Sequence, residues 1–315
     1  MRRYRFVMTS SALVLLCIQA AAQTPDAARK FFQKAQEKFA QGDFSSASED
    51  FSRAIELSSR LDSPKKREEA SRPTNRFNAA SDPAENIRVI DLFTAKAYTG
   101  RGIVKYQQHF LDDAMADFNA ALRIDPRLAV AYVNRGVIYR SKGDLDSAKA
   151  DFDRAILIDS KLPQAYTNRA DVRLEKGDVD GALTDIDRAL SLKPASAETH
   201  ALLGFARLAK NDYDAAYVSF NRAMEINPQL ASAYHGRGNA HFRRGSFDKA
   251  IADFTRALDL NPDIAYAHMN RGLTLLMTGD ETRAQEDFEK CLALKPELKA
   301  ELTRRIELAK ELRKP

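Results

Sequence analysis

The chain has 315 residues, with 49 Lys and Arg against 44 Asp and Glu and a formal net charge of +5. Residues 1–22 hold three arginines and no acid, so without them the charge falls to about +2 with both signs interspersed, a poor footprint for nucleic acid. Beyond them no apolar run reaches the roughly 18 residues of a membrane helix, and Cys291 is the one cysteine left, which excludes an internal disulfide.

In chain order, the first segment reads as a secretory signal peptide. Arg2, Arg3 and Arg5 precede an apolar stretch, Val7 to Ile18, and small residues around Ala22 offer a cleavage site. Leu16 ahead of Cys17 argues against lipid attachment. From Ala95 onward the sequence keeps a 34-residue period through six contiguous units, 95–128, 129–162, 163–196, 197–230, 231–264 and 265–298, and a seventh lies upstream at 28–61. Between them, 62–81 is charged, polar and proline-containing and reads as a flexible loop, a docking segment or an inert tether. Asp82, Pro83 and Glu85 then look like a helix start, with 82–94 extending the first helix of the next unit and leaving the first unit offset from the other six. After the last unit, 299–315 is a lone amphipathic helix with Leu302, Ile306, Ala309 and Leu312 on its inner side, a cap for the final apolar face.

Counting slots from the first residue of each unit shows fixed chemistry at fixed positions. Slot 8 is always Gly or Ala, slot 20 always Ala, slot 27 Ala except for Cys291, and slot 24 a large apolar residue from Phe51 to Phe288. Small side chains let two helices approach and the large one fills the space beside them. Slot 15 is Gly except for His109 and Asn211, all types that tolerate a left-handed turn. Slot 18 is Ser, Asp or Thr, read as the start of the second helix, and slot 32 is Pro in five of seven units, ending it. Each unit is therefore helix, tight turn, helix. Slot 7 is basic except at Leu203, and slot 23 is Asp except at Ser219, with both exceptions in the same unit. This predicts an ion pair between slots 7 and 23 of one unit, Arg135 with Asp151 for example.

These slots resemble the tetratricopeptide repeat (TPR) family, in its exported bacterial form, over about three quarters of the chain. The resemblance implies an all-α solenoid of helical hairpins, a right-handed superhelix with a C-terminal capping helix. It also implies that first helices line a concave groove through slots 2, 5, 6, 9, 12 and 13. Carried onto this chain, the groove has Arg29, Lys96 and Arg140 early, Asp171, Glu175 and Glu198 in the middle, and apolar Leu202, Phe205, Leu208, Phe242, Tyr266, Met269, Leu273 and Met277 late. Asn134, Asn168 and Asn270 at slot 6 offer amides to an extended peptide. A weaker, carboxylate-gripping set is His235, Asn239, Asn270 and Arg304, with His235 making the grip pH-sensitive. The family's slot 4 aromatic is Tyr or Phe in five units and His200 and His268 in two, where the histidines are expected to pack rather than to ligate.

No catalytic, metal-binding or phosphate-binding motif appears, and the five histidines keep no metal spacing. Cys291 stands where other units bury alanine. The expectation is a non-enzymatic scaffold without a cofactor, in a bacterial periplasm or secreted beyond it, holding a protein or peptide partner. Self-assembly through the terminal repeats is the alternative, and an enzyme with an unrecognised site the remote one.

Overall fold

The computed structural model describes residues 26–59 and 83–313. The expected signal peptide, 1–22, and the expected loop, 62–81, lie outside the described residues. Among the described residues fifteen α-helices run in order: α1 (Asp26–Ala40), α2 (Phe44–Ser59), α3 (Pro83–Gln107), α4 (Leu111–Ile124), α5 (Ala129–Ser141), α6 (Leu145–Ile158), α7 (Pro163–Glu175), α8 (Val179–Leu192), α9 (Ala197–Ala209), α10 (Tyr213–Ile226), α11 (Ala231–Arg243), α12 (Phe247–Leu260), α13 (Ala265–Thr278), α14 (Glu281–Leu294) and, after a 3-10 turn at Pro296–Leu298, α15 (Lys299–Arg313). No strand occurs among the described residues. The chain divides into two compact units, one ending at Val172 and one from Arg173 to the C-terminus, with the division inside α7.

In both units the hairpin follows from the same contacts. A Cβ built on Gly136 would lie 2.7 Å from Phe152 Cε1, and one on Gly238 would lie 2.7 Å from Phe254 Cε1. Slot 8 is thus where the first helix meets the slot 24 ring of its own repeat, and only a missing side chain permits that approach. The turn needs a left-handed residue, and slot 15 supplies it: φ is +84° at Gly143, +72° at Gly245, +66° at His109 and +60° at Asn211. One residue later comes the helix cap. Asp144 Oδ1 accepts from the Ser147 amide at 3.0 Å, and Asp178, Asp212 and Asp280 cap α8, α10 and α14 in the same way. This corrects the assignment of the helix start to slot 18. That residue already lies in the first turn, where a carboxylate still favours the helix dipole, and it has a second use. Asp112 pairs with Lys142 of the next repeat at 2.5 Å, as Asp214 does with Arg244 at 2.6 Å.

In the unit ending at Val172, α1 and α2 form the first hairpin, around Phe32, Phe51 and the Phe93 of α3. The first repeat is not offset. Arg101 of α3 reaches Ser52 of α2 at 3.1 Å, the same slot 7 to slot 25 bond that Arg135 makes to Asn119 at 2.8 Å across the next junction. The extension of α3 is fastened to α2 through Thr94 and Ser58, 2.9 Å apart.

In the unit from Arg173, hairpins α9–α10, α11–α12 and α13–α14 stack in sequence, and α15 closes the last one. Leu298, Leu302 and Ala309 bury against Met269, Leu273 and Leu276 of α13. Leu312, expected inside, is 68% exposed. A 3.6-residue period carries the inner stripe of α15 from Ala309 to Arg313 rather than to Leu312, and Arg313 donates to Glu281 at 2.8 Å.

Candidate functional site

The first helices are held in place by their slot 7 arginines. Arg101, Arg135, Arg237 and Arg271 each form a two-pronged bond to the slot 23 aspartate of their own repeat, Asp117, Asp151, Asp253 and Asp287, with Nε to Oδ2 at 2.8–2.9 Å and Nη2 to Oδ1 at 2.6–2.9 Å. Hydrogen bonding to Asp151 raises the Arg135 guanidinium above its usual range. The remaining nitrogen reaches back to slot 25 of the preceding repeat, as in Arg237 to Asn221 at 2.8 Å and Arg271 to Thr255 at 3.2 Å. Each arginine therefore closes its own hairpin and ties it to a neighbour. Slot 25 is polar throughout and gives no sign of this alone; the sign is its distance of 16 residues before slot 7. The first repeat differs. Asp50 takes Lys38 at 2.7 Å, while Lys34 lies over the Phe31 ring. Where Leu203 and Ser219 replace the pair, the Ser219 hydroxyl donates to Ala215 O at 2.9 Å, so no buried carboxylate is left behind.

Slot 4 adds a second tie. Tyr166 and Tyr234 donate their hydroxyls to the slot 32 carbonyls of Ser160 and Pro228, each at 3.3 Å. His200 and His268 reproduce the bond with Nε2, to Pro194 O and Pro262 O at 3.0 Å. Both histidines thus pack and bond where a tyrosine otherwise would. His268 also bonds Asp287 at 2.7 Å through Nδ1. Burial pushes the Asp287 carboxyl up, but bonds from His268 and Arg271 outweigh it and leave it below the usual range.

Slots 2, 5, 6, 9, 12 and 13 fall on one stripe of each first helix. In the unit ending at Val172, Arg140 and Asp171, both expected to offer charge to a ligand, neutralise each other at 2.5 Å as a nearly buried pair. Lys96 has its charged form disfavoured by burial, against a weaker pull from Asp125. Asn134 donates to Val130 O of its own helix at 2.8 Å. Asn168 is buried, and one turn before it Gln164 Oε1 is buried without a hydrogen-bond partner.

In the unit from Arg173, several expected lining residues prove to be core. Met269 is completely buried and Leu273 nearly so, both beneath α15. Phe205 and Leu202 are also buried, Phe205 stacked edge-on against Phe220 at 5.0 Å. Phe242 and Tyr266 stay half-buried at the surface, Phe242 beside Phe247 and Tyr266 beneath Lys295. His235, Asn239 and Asn270 do come together: Asn270 Nδ2 lies 2.7 Å from Asn239 Oδ1 and 3.1 Å from His235 Nε2. Arg304 is exposed on α15 and bonds none of them. Burial pushes His235 down to about 4, so it is neutral near neutral pH and is no cationic grip. Ser232 Oγ, on the same helix, is buried without a partner. Burial likewise raises the Cys291 thiol to about 11, which leaves it inert. Among the described residues no three His, Cys, Asp or Glu side chains are placed to hold a metal ion.

Profiles described as tetratricopeptide repeat match residues 129–162, 163–196 and 235–298, and one described as TPR repeat matches 206–245. The chain belongs to the tetratricopeptide repeat family. TPR proteins are typically protein-interaction scaffolds, and the matching profiles describe repeats rather than a catalytic domain. Among curated proteins none matches. Solved structures show the fold. A tetratricopeptide repeat protein from Parabacteroides merdae is 19% identical, covering 89% of this chain and 99% of its own, with a TM-score of 0.62. PilW, a type IV pilus biogenesis factor, is 17% identical over 64% and 94% of the two chains, TM-score 0.55. PilF of Pseudomonas aeruginosa is 18% identical over 66% and 97%, TM-score 0.53. No described helix is long and apolar enough to cross a membrane.

Proposed function

We propose that this TPR chain is exported to a bacterial periplasm and acts there, without catalysis, as an adaptor that holds an extended segment of a partner protein against its first helices. The observation that carries this reading is that amides and rings on that stripe stay half-buried rather than enclosed, Asn134 in one unit and Asn239, Phe242, Tyr266 and Asn270 in the other. An amide placed so can both donate to and accept from an extended main chain. The charges that would compete for such a ligand are spent internally, Arg140 on Asp171 above all. Export rests on the basic and apolar residues of 1–22, and cell fractionation of the full chain tests it.

The test of binding is affinity capture from a periplasmic extract with residues 23–315 beside a variant carrying Asn134→Leu, Asn270→Leu and Phe242→Ala. A partner held by the first and lost by the second, with circular dichroism unchanged, supports the reading. Equal capture by both moves the function to the 62–81 segment or to the outer helices. Capture of nothing, with large species in light scattering, favours self-assembly.

A further inference from the structure

Successive hairpins are tied by one recurring bond, from the slot 7 guanidinium to slot 25 of the preceding repeat. Arg101 makes it to Ser52 at 3.1 Å, Arg135 to Asn119 at 2.8 Å, Arg169 to Asp153 at 2.7 Å, Arg237 to Asn221 at 2.8 Å and Arg271 to Thr255 at 3.2 Å. Between α8 and α9 it is missing. Leu203 has no donor to give, and Asp187, the slot 25 residue of that junction, is exposed and has no partner among the described residues. The slot 11 cation is no substitute. Lys38, Lys105 and Arg173 pair with the slot 23 aspartates of their own repeats, Asp50, Asp117 and Asp185, at 2.7–3.1 Å. In the repeat at 197–230 that position is Ser219, whose hydroxyl is spent on Ala215 O. Arg207 Nε is left buried without a partner, and its Nη1 stands 3.8 Å from Asp212 in the turn, beyond hydrogen-bond reach. Apolar contacts remain, Phe205 against Phe220 among them. Such contacts are non-directional, whereas a guanidinium bonded to acceptors on two helices fixes both their separation and their angle.

We propose that the junction between α8 and α9 is a compliant joint, where α8 and the α9–α10 hairpin tilt against each other more freely than the arginine-tied hairpins of the same unit do. The joint goes beyond the reading of the first-helix stripe as a binding face and does not depend on it.

The experiment uses residues 23–315 with Cys291→Ala, which places at slot 27 the alanine of the other six repeats. Cysteines for spin labels go to exposed slot 22 positions two repeats apart. Thr184→Cys with Ala252→Cys spans the untied junction and one tied one, and Val218→Cys with Glu286→Cys spans two tied ones. Distance distributions are read by pulsed electron resonance. The first pair is expected to give the broader distribution, since its spread reports the range of tilts in the ensemble. Leu203→Arg with Ser219→Asp supplies the missing tie, with Asp187 in place as its slot 25 acceptor. It should narrow the first distribution to the width of the second and leave the second as it was. Arg237→Leu with Asp253→Ser removes a tie and should broaden the second. Circular dichroism checks each variant, and if one fails to fold the other still decides. Equal widths without these substitutions overturn the proposal. So does a first distribution that stays broad with the tie supplied, or a second that stays narrow with it removed. Partner capture is read on separate variants, so the two readings fail separately.

Discussion

A methyl group added at Gly136 would meet the buried Phe152 ring at 2.7 Å, with the ring enclosed on every side. Alanine gains up to about 1 kcal/mol of helix propensity over glycine, but overpacking a rigid core costs about 1–3 kcal/mol. Gly136→Ala is therefore expected to lower stability by about 1–2 kcal/mol in urea unfolding, and a stabilised variant would contradict the packing described. His235 sets a pH dependence. Exposed histidine takes its proton near 6.5 in the unfolded chain, whereas folded His235 does so near 4. Between these values the unfolded state alone is protonated, so stability falls as pH drops from 6.5 to 4 and this contribution is flat below. The window is worth about 3 kcal/mol at about 1.4 kcal/mol per unit. His235→Gln should remove that slope, leaving the carboxylates' share, in unfolding measured at pH 7 and 4.5. The sequence placed His235 on the correct stripe and missed its burial. A period assigns a residue to a face of a helix; it does not say which rings of neighbouring helices close over it.

Helix pairs are joined by the slot 7 arginines, and the repeat at 197–230 shows what happens without one. Arg135→Leu strands Asp151, nearly buried, and should cost about 3 kcal/mol, the lower end for a broken buried pair because the arginine is partly exposed. Adding Asp151→Ser copies Leu203 with Ser219 and should recover part of that loss. A double-mutant cycle in urea checks this, and strictly additive effects would refute the coupling. This pairing was legible because its two exceptions coincide. The cap at slot 16 was not, since Asp144 and Asp146 both carry the right side chain and only backbone geometry separates them. The same limit applied to Met269 and Leu273. Their apolar character reads equally well as ligand surface or as core, and α15 decides for core by lying on them.

For the molecule as a whole, a stack of repeats buries each face against the next and needs a cover at its end. Deleting residues 299–315 uncovers Met269, Leu273 and Leu276. The shortened chain is expected to bind a hydrophobic dye and to associate in light scattering, and an unchanged, monomeric chain would show that α15 is no cap. The 34-residue period foretold the hairpins, their turns and the all-α fold, because those contacts recur in every repeat. The surface used for recognition does not recur, so its composition had to be seen in place. Residues 60–82 intervene between α2 and α3, yet Arg101 reaches Ser52 as Arg135 reaches Asn119 across a junction without an insert. The contacts of that junction therefore do not require the two helices to follow each other directly in the sequence. For protein engineering this marks a permissive port. A reporter domain spliced between Arg60 and Asp82 should leave the melting temperature of the repeats nearly unchanged while carrying its signal to wherever the scaffold docks.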